Sequence, residues 1–223
     1  MAAETNIRTN KEVVLIYTKA KRIDFADNTS TYYEQLVSSL PLPEFVKLIK
    51  DTPKNILEVA DKLLCTSEQL VSIGFNRPDI PRNIWFYIYD EDILPARAYS
   101  PSLKSPDNVP AGKSSLQFET YFSNFAPKKL ANDDLIEHIV KKGKKMKLWT
   151  ANDIEVTDYR EVKYANVVFD FERKKNLAIV HEYLEKLNIK YIGRFGEWDY
   201  LWSDQSLLSG KKIIESLTNN YAD

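Results

Sequence analysis

Hydrophobic and polar positions change their period several times along the chain. Short β-branched and aromatic runs come first: Val13-Val14-Leu15-Ile16-Tyr17, then Arg22-Ile23-Asp24-Phe25, followed by turn chemistry at Ala26-Asp27-Asn28-Thr29-Ser30. This order predicts a small antiparallel unit. Residues 32–39 read as one further strand, stopped by Pro41. Pro43 stands where a helix can begin, with Phe45, Val46 and Ile49 on one side. After Asp51-Thr52-Pro53, the residues Ile56, Val59, Ala60 and Leu63 recur at helical spacing. The first third is therefore β-β-β-α-α.

From Cys65 the character changes. Residues 70–75, 84–89 and 115–121 are strand-like, and the Pro-marked stretch between them, Pro95 through Pro101 and Pro106 to Pro110, reads as loop. Leu135, Ile136, Ile139 and Val140 predict a helix after Asn132-Asp133, and residues 156–168 are again strand-rich. The clearest amphipathic helix spans 172–187, with Leu177, Val180, Leu184 and Leu187 on one stripe. A short strand at 189–192 runs into Gly193-Arg194-Phe195-Gly196, and a last helix is expected over 203–217.

Composition narrows the function classes. The 31 basic and 32 acidic residues give a net charge of -1, so no bulk positive field recruits nucleic acid. One Cys excludes an internal disulfide framework, and two His beside it do not make a usual zinc cluster, so no metal site is expected. No segment approaches the length of an apolar membrane span, and the first ten residues lack a signal-peptide core. A cytoplasmic location is the default expectation.

The richest stretch is GRFGEWDYLWSDQSLLSG, residues 193–210. A strand delivers a Gly-rich turn, an Arg and several aromatics, and a helix then starts at Ser203 or Asp204, both good N-cap residues. Free N–H groups at a helix start attract negative charge, and Arg194 beside the turn offers a bidentate fork. Gly210 inside the helix suggests close backbone packing or a ligand. On these residues alone, an anion site and an ordinary capped helix with surface aromatics both stand.

The same stretch resembles the C-terminal flavin-contacting segment of the FAD-dependent amine oxidase, protoporphyrinogen oxidase-like and UDP-galactopyranose mutase superfamily. Residues 13–16 through the hairpin to Leu36-Val37-Ser38-Ser39-Leu40-Pro41-Leu42-Pro43 resemble the middle of its FAD domain. Arg97-Ala98-Tyr99-Ser100-Pro101, with Pro110-Ala111-Gly112-Lys113-Ser114-Ser115, resembles its substrate domain. The resemblance implies an α/β fold: an incomplete, Rossmann-like FAD-binding domain (11–64 and 186–223) with an inserted mixed β-sheet substrate-binding domain (65–185). It implies cofactor contacts at Val13, Gly193, Arg194, Asp204, Gln205 and Ser206, and substrate contacts at Arg97, Trp198 and Tyr200. It identifies no catalytic residue. The chain departs from the mutases at Trp202-Ser203-Asp204, where they carry an Asp-Met pair after Tyr-Leu.

The six glycines, at 74, 112, 143, 193, 196 and 210, allow no GxGxxG, so the N-terminal FAD fingerprint of such proteins is missing. The expected function is the C-terminal part or subunit of a flavin-dependent oxidoreductase, completing its FAD and substrate site and inactive without the missing half. The alternatives are a flavin-dependent sugar-nucleotide mutase or a non-catalytic interaction subunit. FAD is expected in the complete assembly and weakly or not at all on this chain alone. The expected partners are a small-molecule substrate and a complementary FAD-domain chain or a second copy.

Other features read as structural. Gly112-Lys113-Ser114 resembles a P-loop end, but Asp107 stands where the first Gly belongs. Lys141-Lys142-Gly143-Lys144-Lys145 reads as a solvated helix end with Gly143 as its C-cap. His138 and His181 lack an Asp or Cys at motif spacing, and Cys65 reads as a small buried hydrophobe.

Overall fold

The computed structural model, which describes residues 5–130 and 132–219, gathers the early apolar runs into a three-stranded sheet. β1 (Val13–Tyr17), β2 (Arg22–Phe25) and β3 (Ser30–Tyr32) pair antiparallel in sequence order, with the register shifting between Val13 and Leu15. Asp27 closes the β2–β3 turn by accepting the Thr29 N–H at 3.0 Å, and Asn28 takes φ 62°, a conformation Asn tolerates. Residues 32–39 are not one strand. The Tyr33 N–H turns to the Lys21 carbonyl at 2.9 Å, and the chain re-forms as β4 (Leu36–Ser38), which pairs in parallel with β10 (Ile189–Tyr191).

Prolines at the N-cap open both short helices, α1 (Leu42–Leu48) and α2 (Lys54–Ala60). Thr52 ends the first by donating its hydroxyl to the carbonyls of Val46 and Ile49, at 2.9 and 2.8 Å. α5 (Arg173–Lys186) packs on α2 and β10, burying Val180 and Leu184 completely. Its buried stripe begins with Arg173 and Asn176 where the periodicity suggested Leu177. Arg173 is held there because it donates to the Trp198 carbonyl and pairs with Asp199 at 3.2 Å. These elements, with the one-turn α6 (Gly193–Gly196) and α7 (Ser203–Asn219), form one unit from Met1–Leu64 and Val167–Asp223. Residues 167–185, assigned from the sequence to the second domain, fall in this first unit.

His181 on α5 stacks on Tyr191 with ring centroids 4.0 Å apart, and its Nε2 is buried without a hydrogen-bond partner among the described residues. Burial pushes the imidazole down from 6.5 to about 4. A folded-state pKa below the unfolded one gives stability that is fully present above pH 6.5 and is lost as pH falls toward 4. The loss amounts to about 3 kcal/mol at its limit. Thermal melts at pH 7, 5.5 and 4.5 should show a steeper acid decline in the wild type than in His181→Phe, which keeps the stacking and removes the titration. Parallel declines would contradict this.

The second unit, Cys65–Asn166, is built on a five-stranded sheet of order β6-β7-β8-β5-β9. Its strands are β5 (Cys65–Phe75), β6 (Trp85–Tyr87), β7 (Arg97–Tyr99), β8 (Ser114–Phe122) and β9 (Ile154–Val167). The expected mixed sheet is not found: the β6–β7, β7–β8 and β5–β8 pairings are antiparallel. β9 also runs back along β5, with Asn76 bonded to Asp153 at one end and Asn166 to Thr66 at the other. A parallel neighbour needs a long crossover, and the segment 88–96 between β6 and β7 is too short for one, so the chain returns antiparallel there.

Strand alternation gives this sheet two unlike faces. Val71, Ile73, Phe75, Leu116 and Phe118 bury one face against α4 (Asn132–Lys145) through Leu135 and Ile139. Trp149 completes that core, 5.3 Å from Phe75 and 5.8 Å from Phe118 between ring centroids. Gly143 is not the C-cap expected of it. It lies inside α4 and is buried, because the Trp149 ring rests on its Cα; Lys147, at φ 58°, makes the left-handed turn instead. The lysine run is partly neutralised by Asp92, which pairs with Lys142 at 2.5 Å and Lys145 at 2.9 Å.

Candidate functional site

Each unit carries a group of the residues singled out above. In the first unit, β10 ends at Tyr191 and the Ile192 N–H bonds the Ser38 carbonyl at 2.9 Å. The chain then turns at Gly193, φ 72°, into α6. Gly196 ends that turn against β4: a Cβ there would stand 2.9 Å from the Ser38 carbonyl oxygen, so the close backbone approach demands glycine. At Gly193 a Cβ would meet nothing within 4 Å, and it is the left-handed φ of 72° that favours glycine there.

Arg194 follows, half-buried, with its guanidinium over the Tyr200 ring at 4.4 Å and nearer to it than to Phe195 at 5.9 Å. Two candidates, Arg194 and Tyr200, are thus brought together as a cation–π pair. Trp198 is not part of this surface. Its side chain is fully buried, its backbone sits at φ 54°, and its carbonyl receives Arg173. A ring with no exposed area offers no ligand a face, so in its unit Trp198 is a core residue.

The start of α7 differs in detail from the sequence reading. Neither Ser203 nor Asp204 is the N-cap. Trp202 precedes the helix, its carbonyl accepts the Ser206 N–H at 2.8 Å, and Gln205 reaches back to accept the Trp202 N–H at 2.8 Å. That is half of a capping box, and it engages the Gln205 carbonyl oxygen. Asp204 is exposed and Ser206 half-buried in this first turn. Ser209, one turn on, accepts the Gly193 N–H at 2.9 Å and bonds Glu197, tying the helix to the glycine turn. A groove of about 830 Å³ between β10 and α7 is lined by Tyr191, Glu197, Leu201, Gln205, Ser209 and Lys212. At Gly210 an added Cβ would meet only the Ile192 side chain, at 3.6 Å, so packing does not demand glycine there. Val13 stands apart in β1, half-buried opposite Phe25.

In the second unit the polar face of the sheet holds a charged network. Arg97 on β7 lies directly across from Glu119 on β8 and grips it with two parallel bonds, Nε to Oε2 and Nη2 to Oε1, each 2.8 Å. The Tyr121 hydroxyl donates to the same carboxylate at 2.6 Å. Glu119 is buried, its side chain 5% exposed, whereas Arg97 keeps 39% of its side chain open. The bidentate fork fixes the guanidinium, which also interacts with the Tyr87 side chain across the strand pair and stays partly exposed. The bond to Glu119 raises the Arg97 pKa further, and burial with that same carboxylate raises that of Tyr121, so both protons are firmly held.

Glu68 on β5 is the cross-strand partner of Tyr121, and it was not identified from the sequence. Burial, with the Glu119 charge second, pushes its carboxyl up to about 7. Its Oε1 is buried without a hydrogen-bond partner among the described residues. The one available signal was an acidic residue on the polar face of a long strand, which is common and gives no hint of its neighbours.

The remaining candidates are structural. Gly112 turns into strand β8, not a helix, and the Ser114 hydroxyl donates to the Arg77 carbonyl at 2.6 Å, so no phosphate loop forms. His138 accepts the Leu94 N–H at 3.2 Å, and the Cys65 thiol lies 3.3 Å from the Thr66 carbonyl. Among the described residues, no group of three His, Cys, Asp or Glu side chains is placed to hold a metal, and no helix is long and apolar enough to cross a membrane.

Two units, one carrying a glycine turn beside a helix start and the other an antiparallel sheet with a charged face, together resemble in fold a part of several larger solved structures. Reduced UDP-galactopyranose mutase superposes with a TM-score of 0.78 at 23% identity, over 90% of this chain and 44% of that one. A provisionally assigned protoporphyrinogen oxidase from Exiguobacterium sp. 255-15 gives 0.67 at 14% identity, over 88% and 43%. The CLA-producing fatty acid isomerase from P. acnes gives 0.66 at 14% identity, over 96% and 48%. The chain thus spans less than half the length of these structures, and the likeness is one of fold. No family model and no curated protein matches the sequence.

Proposed function

We propose that this chain forms the substrate-facing part of a flavin-dependent protein whose ligand is closer to a sugar nucleotide than to an oxidoreductase substrate. The observation that carries this reading is Arg97. It is pinned by a buried carboxylate and left open on a sheet face with Tyr99 half-buried and Trp85 and Tyr87 exposed beside it. Fixed cationic forks suit phosphate oxygens, and exposed aromatic planes suit sugar or base rings. The stronger superposition on UDP-galactopyranose mutase supports the same choice.

In this reading FAD, when bound in a complete assembly, supplies the redox and nucleophilic chemistry. Arg194 would lie against its pyrophosphate, Gly193 would admit it closely, and Asp204, Gln205 and Ser206 would border its ring and ribityl chain. The residues present fit an edge of such a cofactor. They do not make a dinucleotide cradle, which needs a strand, a GxGxxG turn and a helix. Val13 is carried as an adenine contact on resemblance alone. The oxidoreductase reading and that of a non-catalytic subunit remain the alternatives, and flavin reduction by a small substrate would favour the first of these.

Calorimetry with UDP-galactopyranose tests the proposal. Arg97→Ala would strand Glu119 as a buried unpaired charge and damage the fold, so the matched variant Arg97→Gln/Glu119→Gln is the better probe. It should weaken binding by about 1–3 kcal/mol, the range of a charge-assisted bond, with unchanged circular dichroism. Unchanged affinity in the folded double variant would remove Arg97 from the site.

A further inference from the structure

Three neighbouring strands place one cation and two carboxyls on the open face of the larger sheet. Arg97 is opposite Glu119, Glu119 is opposite Leu70, and Glu68 is two residues from Leu70 on β5, opposite Tyr121. Arg97 and Tyr121 donate three hydrogen bonds to Glu119, and the Glu68 carboxyl is within hydrogen-bonding reach of the same carboxylate. Among the described residues Glu68 has no ion-pair partner of its own, Arg97 being held by Glu119. With both carboxylates ionised the cluster carries a net negative charge and repels an oxyanion approaching the outer edge of Arg97. With Glu68 protonated the cluster is neutral, and Glu68 gains an O–H donor.

We propose that Glu68 is a specificity-determining residue of the Arg97 site, which accepts an oxyanion, phosphate or carboxylate, together with one proton held on Glu68. This rests on the reading of Arg97 as a ligand contact.

The surroundings support the coupling. Burial and Glu119 lift Glu68 to about 7, so the proton is available near neutrality. From β8 the groups acting on Glu68 are Glu119 and Tyr121, and from β7 the opposing one is Arg97. The Tyr121 and Tyr99 hydroxyls are both raised, chiefly by burial, and stay neutral. On β9, Glu161 bonds Lys128 and Tyr159 on the opposite, core-packed face of the sheet, and the charged residues alternating with it, Asp158 and Arg160, pair with each other at 3.1 Å. Below pH 6 Glu68 is already protonated and affinity is flat. Above pH 7 binding must supply the proton, and affinity falls with rising pH.

Sulfate and acetate are suitable probes, because neither titrates between pH 6 and 9. NMR titrations of the 223-residue protein at constant ionic strength should show the tighter-binding anion weakening roughly fifty-fold from pH 7 to pH 9, as the protonated fraction falls. Preference for sulfate identifies a phosphate-type ligand, and preference for acetate a carboxylate-type one. Glu68→Gln should keep its pH 6 affinity across the range. A pH slope that persists in Glu68→Gln, or wild-type binding with no slope, overturns the role of Glu68 and leaves the Arg97 site standing. No binding of either anion at pH 6 overturns both. Should Glu68→Gln fail to fold, the carboxyl carbon of Glu68 in the wild type gives the same answer: its midpoint near 7 should rise with added anion, and a midpoint that stays fixed contradicts the coupling.

Discussion

Trp198→Ala is expected to destabilise the first unit by about 4 kcal/mol, in the range for deleting a buried aromatic. The indole is fully buried and packs against Phe195 with centroids 6.4 Å apart. Its carbonyl anchors Arg173, whose own side chain is 8% exposed. Losing the ring would open a cavity beside that buried cation. Trp198→Phe should recover much of the loss and leave ligand affinity unchanged in the folded fraction. Chemical denaturation of the two variants checks this, and a Trp198→Ala protein of native stability with impaired binding would return Trp198 to the site.

Gly143→Ala is expected to cost the second unit about 3 kcal/mol, the upper range for overpacking a core. The added Cβ would fall 1.9 Å from a Trp149 ring carbon and 2.2 Å from the next. Trp149 cannot yield easily, since Phe75 and Phe118 hold it from the sheet side. Pairing the change with Trp149→Phe should relieve part of the clash, so the two effects should be strongly non-additive. Additive losses in denaturant midpoints would show that helix α4 moves instead.

These two residues also show where the sequence stopped being legible. Long periodic segments declared themselves: the 14-residue helices α4 and α5 and the strands β8 and β9 lie close to where their apolar repeats put them. β7 did not, because three residues inside a Pro-marked stretch carry no period, and it is held by its pairing with β8. Gly143 read as a helix end because lysines follow it; only the tertiary position of Trp149 explains it. The aromatics after the glycine turn looked alike in sequence, yet Trp198 is buried and Trp202 is 68% exposed.

The candidate site was legible where it is local. Gly193, Arg194 and Tyr200 share one short segment, so a turn signature was enough to name them. The Glu68, Arg97 and Glu119 cluster depends on the register of three strands drawn from positions 22 and 51 residues apart, which no spacing rule encodes. A charged residue on an alternating strand signals a polar face, not its partner across the sheet.

The most direct measurement is where UDP-galactopyranose lands on the folded protein, followed by amide chemical-shift perturbation. Binding at the proposed surface should move the signals of Arg97, Tyr99, Glu119 and Tyr121 together, with Glu68 responding on β5. Shifts confined to the groove between β10 and α7, with the open face of the sheet silent, would contradict the assignment of Arg97 and the sugar-nucleotide reading built on it.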